Sequence, residues 1–104
     1  MSNVIEVDDI NALKDLIDTE GDVVVDFAAP DWCIPCQRFA PHFDSASEKS
    51  EATFVAVDVD KVPDVTVEYG VRGVPTVMLF RNGEYVVNLQ ERTVIKLLGE
   101  LNNA

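Results

Sequence analysis

Apolar positions along the chain switch between a strand-like period of two and a helical period near 3.6. Val4-Ile5-Glu6-Val7 predicts a short first strand. Asp8 and Asp9 then offer N-caps, and Ile10, Leu13, Leu16 and Ile17 fall on one helical face that stops by Gly21. Val23 to Ala28 is an apolar run interrupted only by Asp26, the pattern of a central strand buried on both faces. Ala29-Pro30-Asp31 predicts a turn. From Cys33 onward the pattern is helical, with Cys36, Phe39, Phe43 and Ala46 sharing a stripe. Pro41 lies inside that helix and is expected to kink it.

Thr53 to Val59 predicts another buried strand. Pro63 suits a first helical turn, and Gly70 ends the short segment after Tyr69. Thr76 to Phe80 predicts a strand, Arg81-Asn82-Gly83-Glu84 a tight hairpin turn, and Tyr85-Val86-Val87 the returning antiparallel strand. Val94, Ile95, Leu98 and Leu101 are expected to form the apolar face of a last helix, capped by Thr93. The order βαβαβαββα predicts an α/β protein. Alternating units favour parallel pairing with right-handed crossovers, and the terminal hairpin adds an antiparallel edge. The expectation is a mixed five-stranded sheet with helices on both faces, and a single domain over residues 1–104.

Composition narrows the function. Of 104 residues, 47% are hydrophobic and 26% charged, which suits a globular chain and not a disordered one. Eight Lys plus Arg against 19 Asp plus Glu give a formal net charge of -11, so nucleic acid and anionic membrane surfaces are not expected partners. No stretch approaches a membrane span. Met1-Ser2-Asn3-Val4-Ile5-Glu6 lacks a basic region followed by a long apolar one, so no signal peptide is read and a cytoplasmic location is expected.

The two cysteines carry the chemistry. They stand in Trp32-Cys33-Ile34-Pro35-Cys36, at the step from strand to helix. Cys36 shares the stripe of Phe39 and Phe43, so its sulfur should face inward. Cys33 lies one turn earlier, among unpaired backbone N–H groups at the positive end of the helix dipole, where a thiolate is favoured. One helical turn brings the two sulfurs within bonding reach, and Pro35 fits the first turn, where a missing N–H is harmless. The expectation is an exposed nucleophile with a protected resolving thiol behind it, suited to thiol–disulfide exchange. Asp26, a carboxylate in an apolar strand, should hold its proton more tightly than usual because burial disfavours its charge. Zinc is not expected. The remaining soft ligand, His42, lies about 120° round and about 9 Å along the helix from Cys36, and reads as a surface residue. Asp58 and Asp60 share a strand face and read as a solvated strand end.

The chain resembles the thioredoxin family over nearly its whole length. The resemblance is carried by Val25-Asp26-Phe27, Trp32 to Cys36, Ala40-Pro41, Tyr69 to Thr76 and Phe80-Arg81-Asn82-Gly83. It implies the thioredoxin fold and protein-disulfide reductase activity, in which Cys33 attacks and Cys36 resolves. By the same resemblance Asp26 matches a buried acid that takes the proton of the resolving cysteine. Pro75 matches a cis-proline facing the cysteine pair. Trp32, Ile34, Pro35, Val74 and Pro75 would form the substrate-binding surface. The implied partners are disulfide-containing proteins and a recycling reductant, either a thioredoxin reductase or a glutaredoxin-type system. No metal or organic cofactor is expected, since the dithiol is the redox centre, and a monomer is expected.

Several positions depart from the family. Ile34 stands where Gly is usual, one extra residue separates Phe27 from Trp32, and Ala28 replaces a frequent Trp. Gln37 and Ala56 replace frequent lysines, and with Asp31 added the site is expected to be more anionic. The stretch from Tyr85 to Thr93 is short and lacks the Gly that usually borders the substrate groove. Two other readings stay open: a thiol oxidase or isomerase on the same fold, and a non-enzymatic accessory subunit.

Overall fold

The computed structural model describes residues 2–104, so Met1 of the segment read for a leader lies outside the described residues. The elements are β1 (Ile5–Val7), α1 (Ile10–Ile17), β2 (Asp22–Ala28), α2 (Ile34–Lys49), β3 (Thr53–Asp58), α3 (Asp64–Glu68), β4 (Thr76–Arg81), β5 (Glu84–Leu89) and α4 (Val94–Asn103). They build one five-stranded sheet in the order β1-β3-β2-β4-β5. β2 is the middle strand, buried along Val23–Phe27, as its unbroken apolar run requires.

Alternation along β2 separates two cores. Val23, Val25 and Phe27 face α1 and α3 together with Leu13, Ile17 and Val65. Val24 faces α2 and α4 together with Phe39, Phe43, Leu97 and Leu101. Helices therefore cover both faces, because a strand buried on both sides needs an apolar layer on each. Phe43 anchors the second core, with ring centroids 5.0 Å from Phe54 and 5.6 Å from Phe39. Replacing Phe43 with alanine is expected to cost about 3–5 kcal/mol, read as a lower urea midpoint with little change in slope.

Parallel pairing extends only as far as β1-β3 and β3-β2; β4 runs antiparallel to β2. The alternating-unit expectation is thus corrected at the third unit. α3 has five residues and advances about 7.5 Å, whereas a six-residue strand is about 20 Å long. The connection therefore does not return the chain along the sheet, and β4 starts at the end where β3 finishes. In register terms Ala28 pairs with Asp58 and Phe27 with Thr76. The ends of β2 and β3 and the start of β4 consequently meet at one edge of the sheet.

Local signals account for most boundaries. The Asp9 carboxylate accepts the Asn11 N–H at 2.7 Å and caps α1. The hairpin turn places Asn82 at φ 53° and Gly83 at φ 85°, the left-handed pair that an Asn-Gly turn supplies. α2 runs unbroken from Ile34 to Lys49 with Pro41 inside it. Two expectations for α4 are corrected. Ile95 is 84% exposed, and the buried face is Leu97 and Leu101 with Val94 and Leu98 packed beside them. Ile95 lies about 200° round the helix from Leu97, so both cannot face the sheet. Thr93 occupies the N-cap position, but its hydroxyl makes no cap hydrogen bond.

Candidate active site

At the sheet edge where β2 ends, the Trp32 and Cys33 N–H groups donate to the Ala29 carbonyl at 3.3 and 2.9 Å and close the turn. The Gln37 side chain donates to the Pro30 carbonyl at 2.8 Å and pins the turn to α2. Cys33 is the N-cap of α2, with Pro35 in the first turn. The Cys36 N–H points at Cys33 Sγ at 3.2 Å, so the sulfur occupies the place of a capping oxygen. Cys33 and Cys36 form a disulfide with Cα atoms 5.2 Å apart.

The two sulfurs differ less in exposure than their spacing predicts. Cys33 is 4% exposed and Cys36 2%. The expectation of an exposed nucleophile is corrected. Bonded to Cys36, Cys33 packs with Ala29 against Ala28, Val59 and Val74, and its Sγ lies 3.8 Å from the Val74 carbonyl oxygen. What is exposed is the rim. Trp32 is 62% and Ile34 53% exposed, Pro35 is open to solvent, and Val74 and Pro75 are half-buried. The Val74–Pro75 peptide bond is cis. Val74, 41 positions after Cys33 in the chain, meets the disulfide because β4 begins at this edge.

Asp26 lies one strand alternation beyond Val24, on the sheet face covered by α2 and α4, and pairs in register with Ala56 and Val77. It is 4% exposed, and its Oδ1 has no hydrogen-bond partner among the described residues. Burial raises its pKa from 3.8 to about 7; the positive charge of Arg92 works against this and the negative charge of Asp44 reinforces it. A buried carboxyl group with this proton affinity exchanges a proton readily near neutrality.

Asp60, Arg38 and Arg92 had no signal in the sequence as site residues. Asp60, read as part of a solvated strand end, accepts the Trp32 indole N–H at 2.8 Å and holds the ring. Arg92 donates to the Leu89 carbonyl at 2.8 Å and lies 5.2 Å over the Phe39 ring. Arg92 also lines a groove with Pro35, Arg38, Phe39, His42 and Pro75. Two cations, Arg38 and Arg92, therefore line one side of the site. His42 is half-buried and lines this groove. No cluster of three or more His, Cys, Asp or Glu side chains suited to a metal ion occurs among the described residues. No helix among them is long and apolar enough to cross a membrane.

Comparison with known proteins agrees with this geometry. The thioredoxin family model matches residues 3–101. The chain is 38% identical to thioredoxin-1 of Schizosaccharomyces pombe over 93 residues, 88% of this chain and 89% of that protein. It is 39% identical to the thioredoxin of Callithrix jacchus over 100 residues, 93% of this chain and 94% of that one. Among solved structures it is similar to thioredoxin from Schistosoma mansoni, at 35% identity and a TM-score of 0.87, covering 97% of this chain and 94% of that one.

Proposed function

The chain belongs to the thioredoxin family and is a protein-disulfide oxidoreductase working by dithiol–disulfide exchange, and on that premise we propose how its own residues divide the work. Cys33, as the thiolate, attacks one sulfur of a substrate disulfide; the other substrate sulfur leaves as a thiolate and takes a proton from water. The product is a mixed disulfide between Cys33 and the substrate. Asp26, as the carboxylate, accepts the proton of the Cys36 thiol. The Cys36 thiolate then attacks Cys33 Sγ, which expels the second substrate thiolate. The substrate gains two electrons and the protein is left with the Cys33–Cys36 disulfide.

The observation that carries this division is the position of the two sulfurs at the start of α2. Cys33 Sγ faces the Cys36 N–H, a dipole that stabilises negative charge there. Cys36 belongs to the buried stripe of α2 with Phe39 and Phe43, on the sheet face that also carries Asp26. Trp32, Ile34, Pro35, Val74 and Pro75 form the surface that holds an extended segment of substrate against Cys33. The cysteine pair is the redox centre, and residues 1–104 act as one thioredoxin-like domain, as a monomer in the cytoplasm. The recycling reductant is a thioredoxin reductase or a glutaredoxin-type system.

The oxidase reading rests on Ile34 beside the disulfide. Equilibration with mixtures of reduced and oxidised glutathione separates the two. A reductase is expected to remain oxidised until the glutathione couple is strongly reducing; a midpoint well above the cytosolic poise would overturn the assignment in favour of an oxidase. Retention of full biological activity by the Cys33→Ser, Cys36→Ser double variant would point instead to an accessory subunit.

A further inference from the structure

Charge is unevenly spread around the disulfide. The chain carries 19 carboxylate residues against eight Lys plus Arg. Yet the groove beside Pro35 and Pro75, about 360 Å³ in volume, is lined by Arg38, His42, Arg92 and Phe39 and by no Asp or Glu. Acidic residues gather instead at Trp32, where Asp60 accepts the indole N–H and Asp31 is the chain neighbour. One end of the site is therefore cationic, the other anionic.

The cationic end is arranged to bind. Arg92 is half-buried, stacked over Phe39 and fixed by hydrogen bonds to the Leu89 and Glu91 carbonyls at 2.8 and 3.1 Å. Both bonds use one terminal nitrogen, so the Nε and the other terminal nitrogen have no protein acceptor among the described residues. A guanidinium held in this way has already lost much of its rotamer freedom and still presents donors suited to a carboxylate. Arg38 forms no ion pair among the described residues. Two guanidiniums without an ion pair among the described residues make a local positive field on a chain of net charge -11, and that field favours a negatively charged partner at this groove.

We propose that this groove receives an acidic segment of the protein substrate, placing carboxylates that flank the substrate cysteine on Arg38 and Arg92 while the disulfide meets Cys33. The proposal rests on the reading of Cys33 as the attacking sulfur, and adds a preference and a direction: the acidic side of the substrate lies toward Pro35 and Pro75, away from Asp60.

The test uses the reduced protein in single turnover against two disulfide-bridged peptides, identical except for two Glu or two Gln beside one cysteine. The Glu peptide is expected to be reduced about tenfold faster at low salt, and the ratio to fall toward one in molar salt. The Arg38→Gln, Arg92→Gln double variant is expected to lose the ratio as well. The ratio is insensitive to any effect of Arg92 on Asp26, since both peptides share that chemistry, and Arg38→Gln alone, an exposed substitution, is expected to lower it. Equal rates on the two peptides, or an unchanged ratio in the double variant, would overturn the acidic subsite while leaving the reductase intact. Failure to reduce either peptide would overturn the assignment of Cys33 and the subsite with it. Oxidised glutathione, a small carboxylate-bearing disulfide, is expected to respond weakly to the double variant; a response equal to that of the Glu peptide would overturn a protein segment as the occupant.

Discussion

Cys33→Ser is expected to reduce insulin disulfides no faster than the dithiothreitol background, a loss of about 10³-fold or more. A serine hydroxyl at the N-cap still accepts the Cys36 N–H, so α2 keeps its start and the fold should survive. What disappears is the sulfur nucleophile, because exchange proceeds through thiolate attack on sulfur. Cys36→Ser separates the two roles. It keeps the first attack and removes the second, so a covalent complex between Cys33 and the substrate should accumulate and be released by reductant on a denaturing gel. Trapping through Cys36 in the Cys33→Ser variant, at the same rate, would reverse the assignment of attacker and resolver.

Asp26→Asn is expected to change stability and turnover in opposite directions. In the folded chain Asp26 keeps its proton up to about pH 7, whereas in the unfolded chain it loses it near 3.8. Between those values the folded state binds more protons than the unfolded state, so stability falls as pH rises through this window and the full penalty is present above pH 7. The gap from 3.8 to about 7 corresponds to about 4 kcal/mol. Asparagine removes the titration. The variant should therefore unfold at higher urea than the parent at pH 8.5, with the difference shrinking toward zero below pH 4. Turnover should drop about a hundredfold near neutrality, the size of a lost proton acceptor, and the rise in rate through pH 7 should vanish. A stability difference independent of pH would mean that the Asp26 carboxyl is not held protonated by burial. Unchanged turnover would remove it from proton transfer to and from Cys36.

The reading of this chain from its residues succeeded where the deciding interactions are local. The Asn82-Gly83 turn, the Asp9 cap and the Cys36-Phe39-Phe43 stripe each lie within a few residues of the partners that define them. α4 shows how a local pattern misleads. Val94, Ile95, Leu97 and Leu98 are all apolar, and only the sheet beneath the helix determines which of them it buries; Leu97 is covered and Ile95 left in water.

The residue order by itself determined the strand–helix alternation, the place of the cysteine pair at the start of α2, and the presence of a carboxylate in the central strand. Each follows from periodicity, capping or the cost of burying a charge, which act over one or two turns of chain. Tertiary structure alone decided the direction of β4, the near-complete burial of Cys33, the tie between Trp32 and Asp60, and the arrival of Arg92 over Phe39. Those features join residues tens of positions apart. The direction of β4 depends on α3 being too short to carry the chain back along the sheet, a geometric consequence that appears only once the strands are paired.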